Sequence, residues 1–363
     1  MSKLTTATLA LLANQLATAA IGTVSLVPRS QPAAGPAPVS LAVADFNRDG
    51  KPDLAVVDQR SATVRILLGT GNGLFQPWVD YQVGINPVAI ATGDFNNDGK
   101  PDLAIVSQLS NTVTILLGNG DATFRAVPAL EAHGPTSLVI ADFNGDGKMD
   151  LAVANATSNT VSIWLGLGQG FFRAPLDFRV GENPSFLVTA DFNGDGKLDL
   201  ATANLASNNV SILFGTGTGL FPTILNFTAG LAPAGLALGD FNGDGKLDIA
   251  VLNSSGTKSS SFKSTISVLL GNGHGFFDLP LTSVAAGKGT FLLGVDLNHD
   301  GKPDLAVTDV GDNSVKILLS LGNGFFAPPL TFASGKGPSW IAPFYSYLIV
   351  ANSFSDNLSV LSY

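Results

Sequence analysis

Asp142-Phe143-Asn144-Gly145-Asp146-Gly147-Lys148-Met149-Asp150 (DFNGDGKMD) is the stretch that decides this chain. Near-copies recur along it. DFNRDGKPD starts at Asp45, DFNNDGKPD at Asp94, DFNGDGKLD at Asp191 and again at Asp240, and DLNHDGKPD at Asp296. Successive starts lie 49, 48, 49, 49 and 56 residues apart, and the long last interval holds a Ser-rich insertion, Ser254–Ser264 (SSGTKSSSFKS). A fixed period of this length marks a repeat architecture.

Each copy has the same surroundings. Around the third, an apolar run Ser137–Ala141 (SLVIA) precedes the loop and Asp150–Ala154 (DLAVA) follows it. A polar turn at Asn155–Asn159 leads to Thr160–Leu165 (TVSIWL), and a Gly-rich turn at Gly166–Gly170 leads to a fourth segment, Phe171–Val180. Short β-rich runs broken by turn residues read as four antiparallel strands. No helical periodicity follows residue 22. Four strands per repeat of this length predict an all-β propeller of four-stranded antiparallel blades.

Six copies carry the loop, and a seventh lacks it. Ser339–Phe344 (SWIAPF), Tyr347–Asn352 (YLIVAN) and Asn357–Leu361 (NLSVL) supply three strands, with Tyr345-Ser346 where the loop would be. The missing strand is available at the other end, in Val24–Ala34. Setting aside 22 leader residues leaves 341, and 341/7 is 48.7, the observed period. The expected fold is therefore a seven-bladed propeller over residues 23–363, closed by pairing the N-terminal strand with the C-terminal blade. Closure removes the exposed edges of an open array. Pro28 and Pro32 suit an outermost strand, where a missing N–H costs little.

The loop has the chemistry of a hard-cation site. Positions 1, 3 and 5 bear side-chain oxygens, position 6 is always Gly, position 7 offers its backbone carbonyl, and position 9 is always Asp. Alternate residues of a tight loop turn oxygens inward, and an all-oxygen cage suits Ca²⁺. Zinc would want His or Cys. An EF-hand would need Glu at position 12, where this chain has Val56, Ile105, Val153, Thr202, Val251 and Val307. The position-9 Asp is expected to take that Glu's role. Six Ca²⁺ are expected. The ligands are Asp45, Asn47, Asp49, Lys51 and Asp53; Asp94, Asn96, Asp98, Lys100 and Asp102; Asp142, Asn144, Asp146, Lys148 and Asp150. The remaining three sets are Asp191, Asn193, Asp195, Lys197 and Asp199; Asp240, Asn242, Asp244, Lys246 and Asp248; Asp296, Asn298, Asp300, Lys302 and Asp304. Each Lys acts through its carbonyl.

These residues give the repeat its resemblance. It resembles the FG-GAP / VCBS-type repeat, also found in the seven-bladed propellers of integrin α subunits. The resemblance covers about residues 24–363 and implies the propeller, the calcium loop between first and second strands, and ligands at positions 1, 3, 5, 7 and 9. The seventh repeat departs from the pattern, so no site is expected there.

Composition narrows the function. Of 363 residues, 19 are Lys or Arg and 28 are Asp or Glu, a net charge of −9. An acidic chain does not suit nucleic acid, which needs a basic face. The loops hold 6 × 3 = 18 of the 28 acids, so the acidity is mostly ligand inventory. There is no Cys, which excludes disulfides and thiol catalysis. No apolar run is long enough for a membrane span. Residues 1–22 read as a leader. Lys3, the apolar run Leu4–Ala13 and Ala17-Thr18-Ala19 have the layout of a signal peptide, with a mature start near Ala20. A secreted, extracellular or periplasmic monomer is expected.

Chemistry outside the loops is sparse. His133, His274 and His299 are the only histidines, and none pairs at metal spacing. No G-x-S-x-G, Walker loop or dinucleotide motif appears. Phe46, Phe95, Phe143, Phe192 and Phe241 share one register, with Leu297 in the sixth copy, and read as inter-blade core. Trp78, Trp164 and Trp340 share none and are weighed as sugar-stacking platforms. The expected function is an exported, calcium-stabilised recognition or adhesion module for a glycan or protein. The alternatives are a calcium-dependent polysaccharide-active enzyme, disfavoured for want of a unique acid–base cluster, and an architectural spacer. Calcium loops and Gly-rich turns should share one face. The opposite face collects the variable residues: Gln59-Arg60, Gln108-Leu109, Glu131–His133, Glu182-Asn183, the Ser254–Ser264 insertion with Lys258 and Lys263, Lys288 and Lys336.

Overall fold

The computed structural model describes residues 24–254 and 263–363. The leader and residues 255–262 of the insertion, Lys258 among them, lie outside the described residues. The described chain forms seven antiparallel sheets arranged as propeller blades. Blade 1 runs outward through Pro38–Ala44, Asp53–Asp58, Thr63–Gly69 and Phe75–Gln82. Blade 3 repeats this with Pro135–Ala141, Asp150–Asn155, Thr160–Trp164 and Leu176–Arg179. The innermost strands of blades 2, 4, 5 and 6 are Pro87–Gly93, Pro184–Ala190, Pro233–Gly239 and Gly289–Val295. Each innermost strand touches its two neighbours, and that of blade 7, Pro338–Phe344, touches that of blade 1.

Blade 7 is built from both ends of the chain. Its order is Val27–Ser30, Asn357–Ser362, Tyr347–Asn352, Pro338–Phe344. Val27 pairs with Ser362 and Pro28 with Leu361, and Ala33 bridges to Asn357. The N-terminal strand is shorter than the eleven-residue Val24–Ala34 segment expected: its register slips between Pro28 and Ser30, and beyond it Pro32 has no N–H to carry the ladder on. Val24 and Leu26 still bury their side chains beside blades 6 and 7.

Burial explains the sequence pattern. Second strands are buried along their whole length, as in Asp53–Asp58 and Asp150–Asn155, so they read as continuous apolar runs. Outermost strands are largely exposed, as in Leu176–Arg179. In blades 2 and 3 they are also shorter than the sequence suggests. Blade 2 splits its outer strand into Phe124–Ala126 and Leu130–Glu131 around Pro128, and blade 3 begins its own only after Pro175. A β-bulge interrupts all seven innermost strands between their first and third residues.

Aromatics of three innermost strands cluster together. Phe186, Phe291 and Trp340 occupy the third position of the innermost strands of blades 4, 6 and 7. Phe291 and Trp340 stack at 4.0 Å, and Phe186 meets Phe291 edge-on at 5.7 Å. Blade 5, which lies between blades 4 and 6, has Gly235 at this register.

Candidate metal centre

Each loop is a tight coil closed by its own side chains. In the third, Asp142 Oδ1 accepts the N–H of Gly145 at 2.8 Å and that of Asp146 at 3.2 Å, and Oδ2 accepts the N–H of Gly147 at 2.8 Å. Asn144 Oδ1 accepts the Asp146 N–H at 2.8 Å, and Asp146 Oδ1 accepts the Lys148 N–H at 3.0 Å. These are Asx-turn bonds, the local chemistry that Asp and Asn favour. They place positions 1, 3 and 5 on the inside of one turn.

Position 6 is Gly because φ is positive there, from 75° at Gly99 to 82° at Gly301. Position 4 is left-handed as well, which the sequence reading missed. It is Gly145, Gly194 and Gly243 in three blades and Arg48, Asn97 and His299 in the others, with φ near 60° in those three. The signal was visible as the alternation of Gly with Asn at position 4, the residues that tolerate this conformation.

The position-9 Asp has a structural task. All six are fully buried. Asp150 Oδ2 accepts the N–H of Phe143 at 3.0 Å, and Oδ1 accepts the N–H of Gly166, sixteen residues on, at 2.7 Å. The same pair of bonds recurs in every loop. This carboxylate therefore ties the loop to the start of the Gly-rich turn. A Cβ at Gly166 would lie 2.2 Å from the Met149 carbonyl oxygen, so the approach needs Gly in the first five blades. Burial pushes Asp102, Asp150, Asp199 and Asp304 up to about 6, against the pull of their two N–H donors, and Asp at positions 1 and 5 pushes the same way. Asp49, at position 5, is held below the usual range, first by the Lys51 N–H and then by its ammonium.

The position-7 lysines fold back over the loop. Lys51, Lys100 and Lys148 hold Nζ 3.2–3.3 Å from the position-5 carboxylate, and Lys197, Lys246 and Lys302 stand at 3.7–3.9 Å. These pairs are exposed and contribute little to stability. Among the described residues no three His, Cys, Asp or Glu side chains are grouped so as to hold a metal ion. Each loop nevertheless brings the three carboxylates and one amide oxygen of positions 1, 3, 5 and 9 onto one nine-residue turn. An all-oxygen donor set of this kind fits a hard divalent cation.

The loops also join the blades. The Phe143 carbonyl accepts the N–H of Gly219 from the Gly-rich turn of blade 4 at 3.0 Å, and Phe46, Phe95, Phe192 and Phe241 accept equivalently from the next blade. Their rings pack edge-on against a Phe of that blade. The pairs are Phe46–Phe124, Phe95–Phe172, Phe143–Phe221, Phe192–Phe277 and Phe241–Phe326, all 5.5–6.0 Å apart. The expected inter-blade core is thus present, and the acidic loops and Gly-rich turns do share a face. At the ring closure Phe344 meets Phe75 at 5.6 Å.

The other sequence candidates separate. Trp164 is largely buried in the wall of a cleft with Glu131, His133, Phe172 and Arg173, and Trp340 is engaged with Phe186 and Phe291. The side chain of Trp78 lies outside what is described. His133, His274 and His299 are exposed. On the face opposite the loops, Gln59, Arg60, Asn86, Ser353 and Phe354 line a cleft of about 370 Å³ between blades 7, 1 and 2. Phe354 is 69% exposed there, and no sequence reasoning singled it out.

A family model described as FG-GAP-like repeat matches residues 45–105, 94–153, 142–202 and 191–251, more than half of the chain. No curated protein matches by sequence. Solved structures match at the level of fold. BBS1N in complex with ARL6DN is 14% identical with a TM-score of 0.64, covering 93% of this chain and 96% of that one. A virginiamycin B lyase from Staphylococcus aureus, solved with quinupristin, is 13% identical with a TM-score of 0.61, covering 94% and 99%. An Agrocybe aegerita lectin that recognises non-reducing terminal N-acetylglucosamine is 18% identical with a TM-score of 0.53, covering 85% and 80%.

Proposed function

This chain belongs to the FG-GAP-like repeat family, and we propose that it is an exported recognition propeller stabilised by six Ca²⁺, with a glycan or protein as its ligand. The observation that carries the reading is the division of labour between the two faces. One face repeats the same loop and the same Gly-rich turn six times, and the other varies from blade to blade. A rigid scaffold with a constant structural face and a variable opposite face suits recognition. Calcium has a structural role in this reading. It would bind side-chain oxygens at positions 1, 3, 5 and 9 and the carbonyl at position 7, and so brace the coil that joins neighbouring blades.

The fold serves recognition elsewhere: one structural neighbour is in complex with ARL6DN and another is a lectin. The cleft beside Phe354 joins an exposed ring to the Gln59 and Asn86 amides and the Arg60 guanidinium, a mixture that suits a sugar or a peptide. The insertion at Ser254–Ser264 is the other candidate on that face. A glycan array and a protein pull-down, each with calcium and with chelator, test the function. Binding that is lost in Phe354→Ala or on deletion of Ser254–Ser264, with melting unchanged, supports recognition on this face. Binding that survives both changes places the ligand elsewhere, and polysaccharide cleavage by the purified protein would favour the enzyme alternative.

A further inference from the structure

Asp58 ends the second strand of blade 1 with no exposed surface, and neither of its carboxylate oxygens has a hydrogen-bond partner. The other blades show what this register ordinarily does. It holds Ser107, Asn155, Asn204, Asn253, Asp309 and Asn352. The four asparagines donate from Nδ2 to a serine of the third strand, Ser162, Ser211, Ser267 or Ser359, at 2.8–3.0 Å. In blade 6 the pair is ionic, with Lys316 Nζ 3.0 Å from Asp309, and Asp309 Oδ1 also accepts the N–H groups of Lys288 and Gly311. Blade 1 has the equivalent cation, Arg65. Its guanidinium is turned the other way, onto Asp80 of the outermost strand, at 2.8 and 2.7 Å.

Asp58 is thus a buried acid whose natural partner is engaged elsewhere. The charged groups around it are Arg65 on the third strand, Asp80 on the fourth and Asp356 on the hairpin of blade 7, so two of the three repel an anion. A buried, unpaired carboxylate is costly and keeps its proton instead. Burial pushes Asp58 up to about 8, Arg65 pulls it down, and Asp80 and Asp356 push it up.

The position gives this proton a mechanical role. Gly35, on the segment that connects the N-terminal strand to blade 1, lies directly over the carboxyl; a Cβ there would stand 2.0 Å from Asp58 Oδ2. Two residues on, Ala37 donates its N–H to Asp356 Oδ1 at 2.9 Å, and its carbonyl accepts the Gln59 N–H at 3.0 Å. Arg60 stands 3.8 Å from Asp356 on the same side. The chain segment that closes the ring therefore runs across the top of Asp58.

We propose that Asp58 is a proton-operated clasp on the ring closure: its protonated form seats the Gly35 segment, and its ionised form drives that segment and its Asp356 contact outward. Ionised Asp58 repels Asp356 and Asp80 and is hydrated only if Gly35 moves. Opening then releases one proton, because an opened carboxyl returns toward its ordinary value of 3.8. The opening equilibrium rises by up to about tenfold per pH unit between that value and the folded one, and is level outside the window.

Amide hydrogen exchange on the full chain tests the clasp at pH 5, 6.5 and 8, in wild type, Asp58→Asn and Asp58→Ser, the residues that other blades carry here. After correction for intrinsic exchange, amides within 27–37 and 357–362 should lose protection by about tenfold per pH unit in wild type. Both variants should show no such slope. Equal slopes in wild type and either folded variant overturn the proposal, as does a flat wild-type profile. Should the Asn variant fail to fold, the Ser variant carries the comparison.

Discussion

At the scale of single residues, two aspartates, one opening the second strand of blade 3 and one ending that of blade 1, behave in opposite ways. Asp150 is satisfied by the N–H groups of Phe143 and Gly166, and both donors are buried with it. Asp150→Ala should therefore destabilise by about 2–4 kcal/mol even with chelator present, because two buried amides lose their acceptor. Thermal melting in EDTA checks this, and an unchanged midpoint would show that position 9 serves only a cation. Asp58 has no acceptor bonds to lose. Its folded value of about 8 lies above its ordinary 3.8, so the folded state binds the extra proton. That stability is complete below about pH 4 and declines as pH rises through about 8. Asp58→Asn should consequently gain stability at pH 7, by about 2–4 kcal/mol on the linkage relation, and nothing at pH 4. Urea unfolding at the two pH values measures the difference. None of this was legible in the sequence. Asp58 looks like any acid at a strand end until Arg65 is seen bonded to Asp80.

At the scale of the loop and blade, the sequence was more informative, because Asx-turn chemistry is local. The Asp-x-Asn-x-Asp-Gly order sets the coil through bonds spanning two to five residues. What calcium would add is cohesion between blades, since each Phe carbonyl in the loop accepts from the next blade's turn. With free Ca²⁺ tenfold above the dissociation constant, each site adds about 1.4 kcal/mol. A chelator should then lower the melting temperature clearly, and native mass spectrometry should count six ions. A melting curve indifferent to both EDTA and added calcium would leave the loops as plain turns. The edge-on Phe pairs contribute about 0.5–1.5 kcal/mol each beyond their burial and remain without metal. The chelated protein is accordingly expected to stay folded at low temperature.

At the scale of the whole molecule, stability depends on closing the ring. The N-terminal strand covers the outer edge of blade 7, and Ser339 Oγ donates to the Pro38 carbonyl across the same junction at 2.9 Å. Thr136, Ser185 and Thr290 make the same bond to the next blade elsewhere, so the junction is sealed like any other interface. Deleting residues up to Ala34 should leave Asn357–Ser362 as a bare edge and expose the apolar seat of Val24 and Leu26. Aggregation or a large drop in melting temperature is expected, read by light scattering and calorimetry. A truncated chain that melts with the full one would mean that the seven blades cohere without the strand.

The repeat, its four runs, the loop, the blade count and the N-terminal origin of the missing strand can all be read from the order of residues. Those features rest on turn chemistry and period, which act between residues close in the chain and recur in each copy. Which buried groups find partners depends instead on how the blades pack. Asp150 finds Gly166, Phe143 finds Phe221 in the next blade, and Phe186 meets Phe291 two blades away. Arg65 takes Asp80 and abandons Asp58, although blade 6 pairs Lys316 with Asp309 at the same register. Such choices depend on distances between residues far apart in sequence, and a charge read in one dimension does not say which of two neighbours it will face.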